Sequence, residues 1–242
     1  MVVSGACAIT FALIVVHDYH NRRLQERLFT SVRSGDARAI GLLVKSGADP
    51  NAAEPIRSSI MAEIGRMFRR HLDHATVDPR TPLQVAVEIV AASQPTRGDQ
   101  AVRCLLQCGA NANGRGSDGT SFLAHSIELG MQDAPDHLLD YGADPNGTGR
   151  GGESALMFAA DCGRVALVKR LLEAGARVSA RNSAGQSAID YSESRRILIH
   201  MHKMRKAHRP PGVESWEQLE HKYIAVSDLL HDALARSGRP HH

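Results

Sequence analysis

Aromatic residues are scarce in this chain: five Phe, four Tyr and one Trp make up 4% of its 242 residues. Rings supply much of the buried area of most cores. This core therefore has to come from Ala, Leu, Val and Ile, which favour closely stacked helices. Hydrophobic residues at 43% and charged residues at 23% exclude a wholly disordered chain, and the length excludes a small disulfide-stapled scaffold. The four cysteines, Cys7, Cys104, Cys108 and Cys162, contain no C-x-x-C pair. Cys104 and Cys108 would share one helix face, but two thiols alone make a poor zinc site, so small buried or half-buried thiols are expected.

Catalytic signatures are also missing. There is no G-x-S-x-G, no phosphate-binding loop, no H-E-x-x-H and no paired dinucleotide glycines. Gly114-Arg115-Gly116-Ser117-Asp118-Gly119 looks like a phosphate loop but follows no predicted strand. Thirteen His include the close pairs His17/His20, His71/His74 and His200/His202, and none has a third ligand at sensible spacing. No catalytic residue, cofactor site or metal site is predicted, and neither a small-molecule substrate nor nucleic acid is an expected partner. The net charge of +3 is too small to imply a polyanion, and stacking rings are nearly absent.

No apolar run is long. Residues 1–16, MVVSGACAITFALIVV, carry no charge but fall short of the roughly 18–20 residues that span a bilayer as a helix. No Lys or Arg precedes them and no A-x-A cleavage site follows. A membrane-anchor helix over 1–20 is the favoured expectation, with a cleaved signal or a buried capping helix as alternatives. Arg22, Arg23 and Arg27 follow the run, which places the remainder on the cytoplasmic side of a single-pass protein; a periplasmic or secreted location is the alternative.

What the chain does have is a period. Gly109-Ala110-Asn111, Gly142-Ala143-Asp144 and Gly175-Ala176-Arg177 recur every 33 residues. Gly119, Gly152 and Gly185 keep the same step, as do Ser121, Ser154 and Ser187, and Leu123, Leu156 and Ile189; Gly130 and Gly163 are also 33 apart. Each unit reads as a Ser- or Thr-capped short helix, a Gly break, a second helix closed by Gly, and a polar turn. Such a unit cannot bury both faces alone and must stack on neighbours.

The box Thr81-Pro82-Leu83-Gln84-Val85-Ala86 and the turns at residues 47–51 and 142–146 make this chain resemble the ankyrin repeat family over residues 24–204. The resemblance implies an all-α solenoid of stacked helix-turn-helix units with hairpin loops, four full units and a partial fifth. Residues 52–78 interrupt it, with Ile56, Ile60, Met61, Ile64, Met67, Phe68 and Leu72 at helical spacing. The second unit carries about seven extra residues, 91–97, between its helices. Residues 205–214 form a basic linker, and 215–236 an amphipathic helix opened by a Ser215/Gln218 capping box. Arg195, Arg196, Lys203, Arg205, Lys206 and Arg209 form a basic stretch that is a solvated face or an attraction to an anionic membrane surface.

The resemblance further implies that a partner protein is bound by hairpin tips and exposed first-helix residues on the concave side. By register these candidates are Arg33, Arg80, Glu88, Ile89, Asp118, Thr120, Glu128, Leu129, Arg150, Glu153, Asp161, Cys162 and Gln186. Ile89 and Leu129, beside Glu88 and Glu128, look most like an apolar centre with a polar rim. The expected function is a monomeric, non-enzymatic protein-interaction module held at a membrane through residues 1–16. An inhibitor that plugs an enzyme or toxin, or a secreted effector, stays open as an alternative.

Overall fold

The computed structural model describes residues 2–54, 80–90, 94–204 and 214–237. These residues are helical throughout, joined by turns and two isolated β-bridges, with no strand among them. The chain divides into two units, residues 1–111 and 112–242. The predicted helix over 52–78 and most of the basic linker lie outside the described residues.

The first unit opens with α1 (Val2–Ser34), α2 (Ala37–Lys45), α3 (Pro82–Val85) and α4 (Pro95–Gln107). No Gly or Pro stands between residues 6 and 34, so nothing stops α1 until Gly35, which takes φ 68°. The uncharged residues are thus the start of the same helix that forms the first repeat, where Leu24, Leu28, Phe29 and Val32 are buried. No helix among the described residues is long and apolar enough to cross a membrane, so the single-pass anchor is not supported. Asp36 caps α2 by accepting the Ala39 amide at 3.0 Å, and Thr81 caps α3 through the Gln84 amide at 3.2 Å. The second repeat departs from the expected seven-residue linker. Its first helix widens into a π-helical turn, Ala86–Val90, and Pro95 already lies in the first turn of α4. Proline's fixed φ and missing N–H suit that turn, so residues 95–97 join the helix.

The second unit repeats one motif. It contains α5 (Phe122–Glu128), α6 (Ala134–Asp140), α7 (Ala155–Asp161), α8 (Val165–Glu173), α9 (Ala188–Met204) and α10 (Trp216–Ser237). Ser121 accepts the Ala124 amide at 3.2 Å and Ser154 the Met157 amide at 3.3 Å, so the two caps sit one period apart. Inside, Leu123, Ile127, Leu138, Leu156, Met157 and Leu171 are almost fully buried. Each is worth roughly 1.5–3 kcal/mol over an exposed position. Rings enter where a glycine makes room. A Cβ on Gly114 would fall 2.2 Å from the Phe122 ring, and one on Gly149 2.9 Å from the Phe158 ring.

Successive repeats are tied by one residue type. Asn113 donates its side-chain N–H to the Gly142 carbonyl at 2.8 Å while its oxygen accepts the Asp144 amide at 2.7 Å. Asn146 does the same for Gly175 at 3.3 Å and Arg177 at 2.9 Å. Within the first unit, Asn51 holds Gly109 at 2.9 Å and Asn111 at 2.7 Å across the insertion.

The last repeat ends differently. Arg196 occupies the register position of Gly130 and Gly163, where the chain breaks at φ 71° and 64°. Without that break α9 runs on to Met204, and α10 returns against α9 and α8. Tyr223 donates its hydroxyl to the Asp161 carbonyl at 2.7 Å, with its ring carbon 3.0 Å from where a Gly163 Cβ would stand. The Ser215 and Gln218 side chains exchange bonds with each other's amides at 3.1 and 3.0 Å, closing the capping box of α10.

Two outcomes follow. Asn113→Ala or Asn146→Ala leaves a turn carbonyl and amide without their partner and should lower stability by about 1–2 kcal/mol in urea unfolding. Gly163→Ala meets both a positive φ and the Tyr223 ring. It should cost about 1–2 kcal/mol and change the fluorescence of Trp216, the only tryptophan, at the first turn of α10. An unchanged emission spectrum would mean that α10 does not depend on this contact.

Candidate functional site

The hairpins of the second unit are built alike. In the first, the Gly116 amide reaches the Thr120 carbonyl at 2.7 Å and the Gly119 amide reaches the Gly116 carbonyl at 2.9 Å. The second closes through the Gly149 amide to the Glu153 carbonyl at 2.7 Å, and the third through the Asn182 amide to the Gln186 carbonyl at 3.0 Å. The glycine-rich segment 114–119 is therefore a hairpin turn with no strand before it.

These hairpins are also bonded sideways. The Ser121 amide donates to the Thr148 carbonyl at 2.9 Å, and the Ser183 amide to the Gly151 carbonyl at 2.9 Å. Arg150 reaches back one repeat to the Asp118 carboxylate at 2.9 Å. The three tips form one ledge, on which Ser117, Asp118, Arg150, Ser183 and Gln186 are exposed.

Asp118 is the most tightly held charge on the ledge. The Thr120 hydroxyl donates to it at 2.6 Å and the Thr120 amide at 3.0 Å. The hydroxyl bond is the chief reason, ahead of the amide and Arg150, that the carboxyl falls to about 2. A depressed carboxyl stabilises the fold above its ordinary pKa and loses that contribution as pH falls towards 2. Thr120 itself is only 3% exposed, so this residue, expected at the surface, serves Asp118 from inside.

Other candidates separate by burial and partner. Glu153 is half-buried and accepts the Gly151 amide at 2.9 Å. Glu128 is exposed beside His125 at 3.3 Å, and its neighbour Leu129 is half-buried rather than exposed. Asp161 is clasped by Arg195 through two bonds of 2.5 and 2.7 Å while its carbonyl takes the Tyr223 hydroxyl. It therefore fastens α9 and α10 to the preceding repeat. Those bonds to Asp161 raise the Arg195 pKa. Cys162 is exposed at the surface, yet burial still raises its thiol pKa and leaves it a poor nucleophile. Neither Arg195 nor Tyr223 was among the expected site residues: Arg195 stands one period after Cys162, at a first-helix register position, and Tyr223 lies in α10 beyond the repeats.

The remaining four candidates belong to the first unit. Arg33 pairs with Glu54, and Arg80 is exposed while its carbonyl accepts the Glu54 amide at 2.8 Å. Glu88 is half-buried and accepts from Gln84 at 3.0 Å; the Ile89 side chain lies outside the described residues. In the same unit the Cys104 thiol donates to the Ala37 carbonyl at 3.1 Å, and burial beside Cys108 pushes it up to about 11.

Among the described residues no three His, Cys, Asp or Glu side chains could hold a metal ion. A cavity of about 550 Å³ between α8 and α10 is walled by Leu172, Ala176, Val178, Leu229 and Ala233. Four of its five rim charges pair along their own helices, Lys169 with Glu173 and Arg236 with Asp232, each at 3.9 Å; the fifth is Arg177. Residues 89–182 match the family model for ankyrin repeats in three copies. No curated protein matches the chain.

The Asp118 assignment can be measured directly. An NMR titration should place its midpoint near 2, and Thr120→Val should return it towards the ordinary carboxylate range near 4. If the midpoint stays low in that variant, the backbone amide at position 120 and Arg150, rather than the Thr120 hydroxyl, hold the charge.

Proposed function

We propose that this chain, an ankyrin-repeat protein through residues 89–182, is a non-enzymatic recognition module whose hairpin ledge in the second unit binds a partner protein. Ankyrin repeats generally mediate protein–protein interaction. The observation that carries the reading here is the sideways bonding of the hairpin tips: Ser121 to Thr148, Ser183 to Gly151, and Arg150 to Asp118. Side chains on such a ledge are held at fixed spacing before a partner arrives, which reduces the ordering lost on binding.

The three hairpins carry exposed Arg115, Arg150 and Arg181, exposed Asp118, half-buried Glu153 and several uncharged polar groups. That mixture suits a protein surface of mixed charge. Arg150 is the outermost group, its side chain 80% exposed, and is the residue best placed for contact. Asp118 fixes where that guanidinium points.

Arg150→Glu sets two carboxylates against each other on the ledge. Partner affinity should fall by about tenfold or more, while the melting temperature moves by no more than a surface pair allows. Affinity capture with the wild-type chain, followed by titration of the captured protein against both forms, measures this. Equal affinity for the two would rule out the ledge as the contact.

A further inference from the structure

We infer a second site, independent of the ledge: the cavity between α8 and α10 binds a small aliphatic carboxylate of the medium-chain fatty-acid class. Its volume of about 550 Å³ lies within the range of small-molecule pockets.

The cavity arises from the way the array ends. α8 closes at Glu173 and the chain turns through Gly175, while α10 supplies the facing wall with Leu229 and Ala233. Register within the repeats could not reveal it, since that wall belongs to a helix outside them. Ala176 and Val178 in the turn are 9% and 6% exposed, and Leu172, Leu229 and Ala233 are half-buried. Alanines at 176 and 233 keep the gap open, because larger side chains there would close it. Covering the half-exposed residues removes apolar surface from water. All five apolar lining residues are aliphatic. A flexible alkyl body suits such walls, and a flat aromatic ligand finds no ring to stack on.

The unpaired charge sets the head group. Lys169 and Glu173 cancel, as do Arg236 and Asp232. Arg177 is exposed, and its guanidinium has no partner among the described residues; only its backbone amide is tied, to Asn146 at 2.9 Å. The two preceding repeats carry Asn111 and Asp144 at this turn position, so the cation is new to the last turn. Helix C-termini would favour a cation in the cavity. Those of this site are already occupied. The Ala174, Gly175 and Ala176 amides take the carbonyls of Arg170, Leu172 and Leu171 at 2.9, 3.1 and 2.9 Å, and the Ser237 hydroxyl takes that of Leu234 at 2.8 Å. A carboxylate matches one guanidinium in geometry and in charge, whereas a phosphate would bring an excess of negative charge.

The test is a titration of the full chain with octanoate and with octanol, followed by amide NMR shifts. The Val178, Leu229 and Ala233 amides should shift saturably. Octanoate should bind about fivefold more tightly than octanol, and the preference should shrink as salt rises. R177Q, at an exposed position, should keep octanol binding and lose the preference. A233F should fill the gap and weaken both ligands by about tenfold, with an unchanged circular dichroism spectrum. No saturable shift at these amides, a preference that survives in R177Q, or undiminished binding by A233F would overturn the inference. So would tighter binding of octyltrimethylammonium, which would make Glu173, Asp232 and the helix ends the selecting groups.

Discussion

One planar amide sets the spacing of this molecule. The side chain of Asn113 offers a donor and an acceptor at once, and the next turn supplies the matching carbonyl and amide two residues apart. Both bonds form together only when that turn sits in one place, so a slip of a single residue loses the pair. Asn146 repeats the arrangement 33 residues on. Asn51 makes it across roughly twice the usual length of chain, because its partner turn lies beyond the insertion. Loop closure entropy grows slowly with length, so an insertion at that point leaves the bonds intact.

Around these ties the helices need to be short and closely packed, and that accounts for the scarcity of rings. A Cβ built on Gly41 would stand 3.7 Å from the Cys104 sulfur where α2 meets α4, which leaves room for a methyl group and none for a ring. Phe122 and Phe158 fit because Gly114 and Gly149 give up a Cβ beside them, and Tyr223 lies over Gly163 in the same way. The repeats end through a single residue. Arg196 replaces the breaking glycine, α9 continues and holds Asp161 through Arg195, and α10 folds back to reach the same residue through Tyr223.

The repeat, its caps and its hairpins were legible because each depends on contacts within a few residues. Ser121, Ser154 and the Ser215/Gln218 box all act where spacing places them. The candidate site was legible in part. Register gives the position of a residue along its repeat, which is how Asp118 and Arg150 came out at hairpin tips. It does not give the reach of a side chain from the next repeat. Thr120 therefore turned inward to Asp118, Asp161 was taken by Arg195, and Leu129 was half-covered. The π-helical turn at Ala86–Val90 and the helical start at Pro95 escaped for a related reason: extra residues can be absorbed in a helix as readily as in a loop, and packing of α4 on α2 makes the choice.

By itself, then, the sequence determined the period, the helix caps and breaks and the helical class of the repeats, since all of these are local or compositional. Tertiary structure decided what each surface charge does. Arg150 became the bridge between hairpins, Arg195 a clamp on the preceding repeat, and Arg177 the cation at the rim of a cavity. Three arginines with the same chemistry acquired three roles, because a guanidinium's function depends on which carboxylate or carbonyl the fold brings within hydrogen-bond distance, and that is fixed only when the repeats stack.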